Sequence, residues 1–179
     1  MDSLTSLIST ARFPDLIEPF LQPIEQMKFD FSEPSLAAVE TKISNLTSEE
    51  ICGQAVADEA MADCCRSGLL LLNGFLNESH EISQSVQSQE GSYWHGLMHR
   101  AEGDFWNSKY WYSKGGKNHP VTTKMRQHDS NWSGESFVDA CEQAAASTNN
   151  ESRDRIDQLA RYEWFYLFQH CWSAAAGAR

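Results

Sequence analysis

The sequence predicts an all-α fold: a single-domain helical bundle or set of stacked helical hairpins, preceded by an irregular N-terminal arm. Three observations predict it. Helix-capping residues stand ahead of one run after another, apolar residues inside the longest run mostly recur at three, four or seven positions, and no segment combines β-branched enrichment with period-two alternation. At 179 residues the chain is long enough to bury one sizeable core and calls for no second domain.

Residues 1–33 read as the arm, because Pro14, Pro19, Pro23 and the following Pro34 forbid long regular elements there, and the arm is expected to wrap a domain made of residues 34–179. From Ser35, "SLAAVETKISN" reads as a short helix. Thr47 to Glu50 has capping-box spacing, with Thr47 accepting from backbone amides and Glu50 reaching back. A long central helix is expected to follow, from Glu49 to about Asn77, on Ile51, Val56, Ala60, Cys64, Leu70, Leu71 and Phe75, with Gly68 as its weak point. Ser92 is placed to cap a helix through about Glu102 and Asn107 another through about Lys114, and Gly115, Gly116 and Pro120 end that hairpin. A polar loop holding His128 and Trp132 comes next. Ser133 then caps "GESFVDACEQAAAS", and "NNES" at 149–152 opens a last helix running to about Ala176.

A net charge of −11 repels phosphate backbones and anionic lipid heads, so neither nucleic acid nor a membrane surface is an expected partner. The five cysteines are odd in number, lack paired C-x-x-C spacing and include the adjacent Cys64 and Cys65, a pattern of buried free thiols in a reducing compartment. The first twenty residues have Asp2, no basic start and no uninterrupted apolar run, unlike a secretory signal, and "GLLLLNGFL" from Gly68 is too short for a bilayer. A cytoplasmic protein is expected.

Chemistry concentrates between residues 92 and 120, which hold three of the six Trp, three of the five Tyr and three of the six His. His95 and His99, at i and i+4, lie on one helix face with Cβ atoms about 5–6 Å apart, a spacing at which two imidazoles share a divalent metal. Glu102 follows on the same flank as a third ligand or general base, giving H-x-x-x-H-x-x-E. This is not the zinc-peptidase H-E-x-x-H, because Gly96 stands where that motif has Glu. The plainer reading packs one of these histidines on a neighbouring helix and leaves the other solvated.

Upstream, "NESHEISQ" contributes His80, Glu81 and Gln84, with His80 and Gln84 at i, i+4, and its plain reading is a solvated helix end. In the last helix Leu159, Glu163, Tyr166 and His170 form a stripe at 4, 3, 4 spacing. One cavity holding His80, His95, His99, Glu163 and His170 would supply all these polar groups with partners; the alternative partner is an Arg or backbone group of another helix. Trp94, Trp106, Tyr110, Trp111 and Tyr112 provide packing area, and some of these rings, with Arg100 and Lys109, are candidates to floor a pocket for an aromatic or anionic small molecule. Arg100 has Asp104 at i+4 as an alternative partner. Cys64 and Cys171 stand at apolar periodic positions that suit inert thiols better than nucleophiles. Phosphate-binding glycine loops, a G-x-S-x-G elbow and paired E-x-x-H motifs are absent.

Gly96, Gly103-Asp104-Phe105, Ser108, Tyr112, Gly115 and Pro120 follow an order of small and aromatic residues that resembles one tetratricopeptide or Sel1-like hairpin. No second copy follows at that period, so the resemblance implies a repeat-like hairpin and not an array. The longer phrase, "SHEISQS" from Ser79 with "GSYWHGLMHRAEGDFWNSKYWY" from Gly91, resembles the signature of a family of bacterial and fungal proteins, and that resemblance implies no particular reaction.

The expectation is therefore a binding module for a small molecule or protein segment, with His80, Glu81, Gln84, Trp94, His95, His99, Arg100, Trp111 and His170 around the ligand. The alternative is a metal-dependent, hydrolase-like enzyme with His95 and His99 as ligands and Glu102 or Glu163 as acid/base. A third reading has the histidines simply stabilise the bundle. The sequence selects neither a ligand nor an oligomeric state.

Overall fold

The computed structural model describes residues 3–30, 34–115 and 118–177; the end of the arm at 31–33 and Gly116 of the expected hairpin terminator lie outside them. Among the described residues there are eleven α-helices and no strand, so the chain is an all-α bundle.

The arm is more regular than its prolines suggest. It forms α1 (Leu4–Ala11), α2 (Glu18–Leu21) and a 3₁₀ turn (Gln22–Gln26), with Pro19 and Pro23 in the first-turn positions where a missing N–H removes no helical bond. It also completes the core, burying Phe13, Ile17, Leu21, Ile24, Met27 and Phe29.

The expected central helix is three helices. After α3 (Ala37–Asn45), the capping box closes as expected, Glu50 N–H on Thr47 Oγ1 at 3.2 Å and Thr47 N–H on Glu50 Oε2 at 2.8 Å. The helix it starts, α4 (Ser48–Cys52), ends within two turns because Gly53 turns left-handed at φ 72°, pressed on Pro14. Asp58 caps a fresh start for α5 (Glu59–Leu72), and Gly74, at φ 82°, separates α5 from α6 (Leu76–Ser85). Gly68, the expected weak point, lies inside α5 without breaking it. A Cβ there would stand 2.7 Å from Cη2 of Trp94, so the glycine lets the indole of the next helix reach the α5 backbone.

That next helix, α7 (Gln89–Ala101), starts four residues earlier than expected: Ser88 accepts from Gly91 N–H at 3.1 Å, while the Ser92 hydroxyl donates back to the Ser88 carbonyl. Asp104, not Asn107, accepts the first-turn amide of α8 (Phe105–Gly115), taking Asn107 N–H at 3.1 Å. Ser108 donates to the Gly96 carbonyl at 2.8 Å and closes the α7–α8 hairpin. The segment read as a loop contains α9 (Pro120–Met125), begun by a first-turn proline and capped by the His119 imidazole. α10 (Gly134–Ala145) and α11 (Asn150–Ala175) start on Ser133 and Asn149 as expected.

α5 packs against α6, α7 and α11, and α7 lies between α6 and α8, so α7 is reached from several sides. The core between α5, α7 and α11 holds Trp94, Trp164, Phe165 and Phe168, all inaccessible to solvent. All five cysteines are free and buried. Among the described residues, no helix is long and apolar enough to cross a membrane.

Candidate metal centre

α7 carries two polar faces. His95 and His99, one turn apart, meet His80 of α6: the ring centres of His80 and His95 are 4.5 Å apart, of His95 and His99 4.7 Å, and of His80 and His99 5.5 Å. One nitrogen from each ring lies within 4.8 Å of the other two. An ion about 2.0–2.1 Å from three imidazole nitrogens at tetrahedral angles holds the ring centres about 5 Å apart, the spacing seen here. His95 and His99 are buried, His80 is half-buried, and Trp111 of α8 covers the His95 ring at 4.2 Å.

Hydrogen bonds assign the ring protons. Glu102 accepts from His99 Nδ1 at 2.6 Å, and a carboxylate can only accept, so that nitrogen carries the proton. The Ser83 hydroxyl donates to the His80 carbonyl at 3.2 Å, which leaves its oxygen to accept from His95 Nδ1 at 3.3 Å. Both rings are thereby left with a lone pair on Nε2, the arrangement in which an outer partner orients a metal-binding histidine. Burial first, then the neighbouring His99 and His80 imidazoles, push the His95 pKa down to about 4, so the ring stays neutral and able to coordinate.

The single cavity expected from the sequence is divided. Glu163 does not join the histidines; it is buried with Arg100 Nη1 2.5 Å from its Oε2, and the hydroxyls of Tyr93 and Tyr112 donate to its Oε1 at 3.1 and 2.7 Å. Burial pushes both phenols far above their ordinary pKa, so they remain donors to that carboxylate. Arg100 therefore has Glu163 as its partner and not Asp104, and its guanidinium lies 4.8 Å over the Phe137 ring. Trp94 is core, edge-on to Trp164 and away from solvent. Lys109 pairs with Asp139 and Glu142 of α10 instead of lining a pocket. Glu81 and Gln84 are exposed on α6. The free thiols of Cys64 and Cys171 share a hydrogen bond; that hydrogen bond first, and then burial, push the Cys64 thiol up, and burial does the same to Cys171.

His170 belongs to a separate cluster on the other face of α7. Glu90 Oε1 is 3.2 Å from His170 Nε2 and 3.5 Å from His119 Nε2, and the Glu90 carboxyl is held well below the usual carboxylate range, by His119 first and His170 second. Ser83, Glu90 and His119 were not predicted. Glu90 stands five residues before His95 and so on a different face of α7, and no local spacing links it to positions 119 and 170. The chain matches no family model, no curated protein and no solved structure.

Proposed function

We propose that this chain is a metal-dependent protein, holding a divalent transition-metal ion, zinc above all, on His80, His95 and His99 with a fourth coordination position open to water or a small ligand. The observation that supports this reading is the approach of three imidazole nitrogens to within 4.8 Å, two of the rings having Nδ1 engaged by Ser83 and Glu102. On these three neutral ligands a zinc ion would keep its full charge and would supply Lewis-acid activation of water near neutral pH. The reaction class such an ion would serve is hydrolysis of a small activated ester or hydration of a comparable electrophile. On this reading Glu102 orients His99, since the imidazole occupies its Oε1, and Glu163 stays a structural partner of Arg100.

The test is elemental analysis of untagged protein purified without chelator, followed by zinc titration of the stripped protein. One equivalent is expected to vanish in the double variant His95→Ala, His99→Ala, and Glu102→Gln is expected to loosen it about 10- to 100-fold. Hydrolysis of 4-nitrophenyl acetate should follow zinc occupancy. Zinc binding that survives the double variant, or a wild type that neither holds zinc nor gains thermal stability from it, would leave the three histidines as packing groups.

A further inference from the structure

On the far face of α7, the Glu90 cluster has a different proton arrangement. The buried His119 Nδ1 accepts the Val121 N–H at 3.3 Å while capping α9, so the single proton of the neutral ring sits on Nε2, 3.5 Å from Glu90 Oε1. A metal on that Nε2 would drive the proton to Nδ1, against the Val121 N–H. The criterion that favours coordination at His95 and His99 therefore disfavours it here. His170 Nε2 donates to the same Glu90 oxygen at 3.2 Å, which leaves its Nδ1 with a lone pair. The His170 side chain is 31 % exposed and lines an open cleft of about 200 Å³ with Val121, Lys124, Tyr166, Gln169 and Ser173. A cavity of about 150 Å³ already takes a benzene-sized molecule.

We propose that Glu90 and His170 form a proton-accepting dyad, acting on a small anionic molecule with an ionisable hydroxyl that binds in this cleft with its charge at Lys124. The ligand's O–H bond breaks, an Nδ1–H bond forms on His170, and the electron pair stays on the ligand oxygen as a nucleophile. The positive charge on the imidazolium is met by Glu90, as the carboxylate of a Ser-His-Asp triad meets its histidine. His119 is a positioning residue: fixed by Val121 and edge-on to Tyr93 at 5.1 Å, it holds the Glu90 carboxylate toward His170. This inference is independent of the three-histidine centre.

Diethyl pyrocarbonate acylates an imidazole through a nitrogen lone pair, so peptide mapping of the full chain at about pH 8, where imidazole is neutral, reads the dyad directly. Glu90→Gln is expected to slow acylation of His170 about fivefold or more, with His128 in the same digest unchanged. Inorganic phosphate should protect His170 in the wild type and lose that protection in Lys124→Gln. Equal His170 rates in wild type and Glu90→Gln, with no protection by phosphate, would overturn the dyad in favour of a structural ion pair. A second equivalent of zinc that disappears in His170→Gln would overturn it in favour of a metal site. Thermal melts of Glu90→Gln and Lys124→Gln, each expected to show one cooperative transition above the labelling temperature, separate these outcomes from misfolding.

Discussion

At the scale of single residues, the histidines of this chain have different roles, and for His95, His99 and His119 the role is set by what Nδ1 meets. His95 and His99 face acceptors, so their remaining nitrogens are lone pairs; His119 faces a donor, so its remaining nitrogen is an N–H. His128 is a further case, stacked on Tyr162 at 3.9 Å and bonded through Nε2 to the Tyr166 hydroxyl. A pH effect follows for the zinc-free protein. The His95 pKa is about 4 in the folded chain, against about 6.5 for an ordinary histidine, so between these values the unfolded chain binds a proton that the folded one does not. Stability then rises with pH across that window and is lost as pH falls from about 6.5 toward 4. Urea unfolding in chelator should show a midpoint at about pH 4.5 below that at pH 7, with a shallower fall in His95→Asn; parallel falls in both proteins would contradict this assignment.

At the scale of the element, caps were legible and breaks were not. Thr47, Ser133 and Asn149 begin helices as the sequence predicts, because a cap is a contact between residues two or three positions apart. The break at Gly53 was missed because apolar spacing runs across it, and only the packing of Pro14 against the turn shows why the chain leaves the helix there. Gly68 is the opposite case, a glycine that invites a break and instead makes room for a neighbour. Gly68→Ala should lose about 1–3 kcal/mol in urea unfolding from overpacking on Trp94 and Phe168, although alanine is the better helix former by about 1 kcal/mol. A neutral or stabilising result would mean that the α5–α7 contact is looser than the 2.7 Å approach implies.

For the whole molecule, the buried Arg100–Glu163 pair with Tyr93 and Tyr112 joins α7, α8 and α11 away from water. Removing one charge leaves the other unpaired in the core, so Arg100→Met and Glu163→Leu should each cost about 3–5 kcal/mol, while the double change Arg100→Met, Glu163→Leu should recover most of that loss. Unfolding the two single variants and the double variant as a cycle checks this, and additive losses would rule out the coupling. Because the pair shares no hydrogen bond with His95 or His99, its loss is expected to lower stability without changing zinc stoichiometry in the fraction that remains folded.

The all-α class, the N-terminal caps of α4, α10 and α11, and the common face of His95 and His99 were determined by the sequence alone, since each rests on helical period or on contacts within one turn. Only the tertiary structure decided that His80 completes a three-histidine cluster, that Glu163 leaves it for Arg100, and that His170 joins Glu90 and His119. Which side chains meet across two helices depends on where each helix breaks and how far it slides against its neighbour. Those distances are set by remote packing, such as Pro14 on Gly53 and Trp94 on Gly68, which no local spacing records.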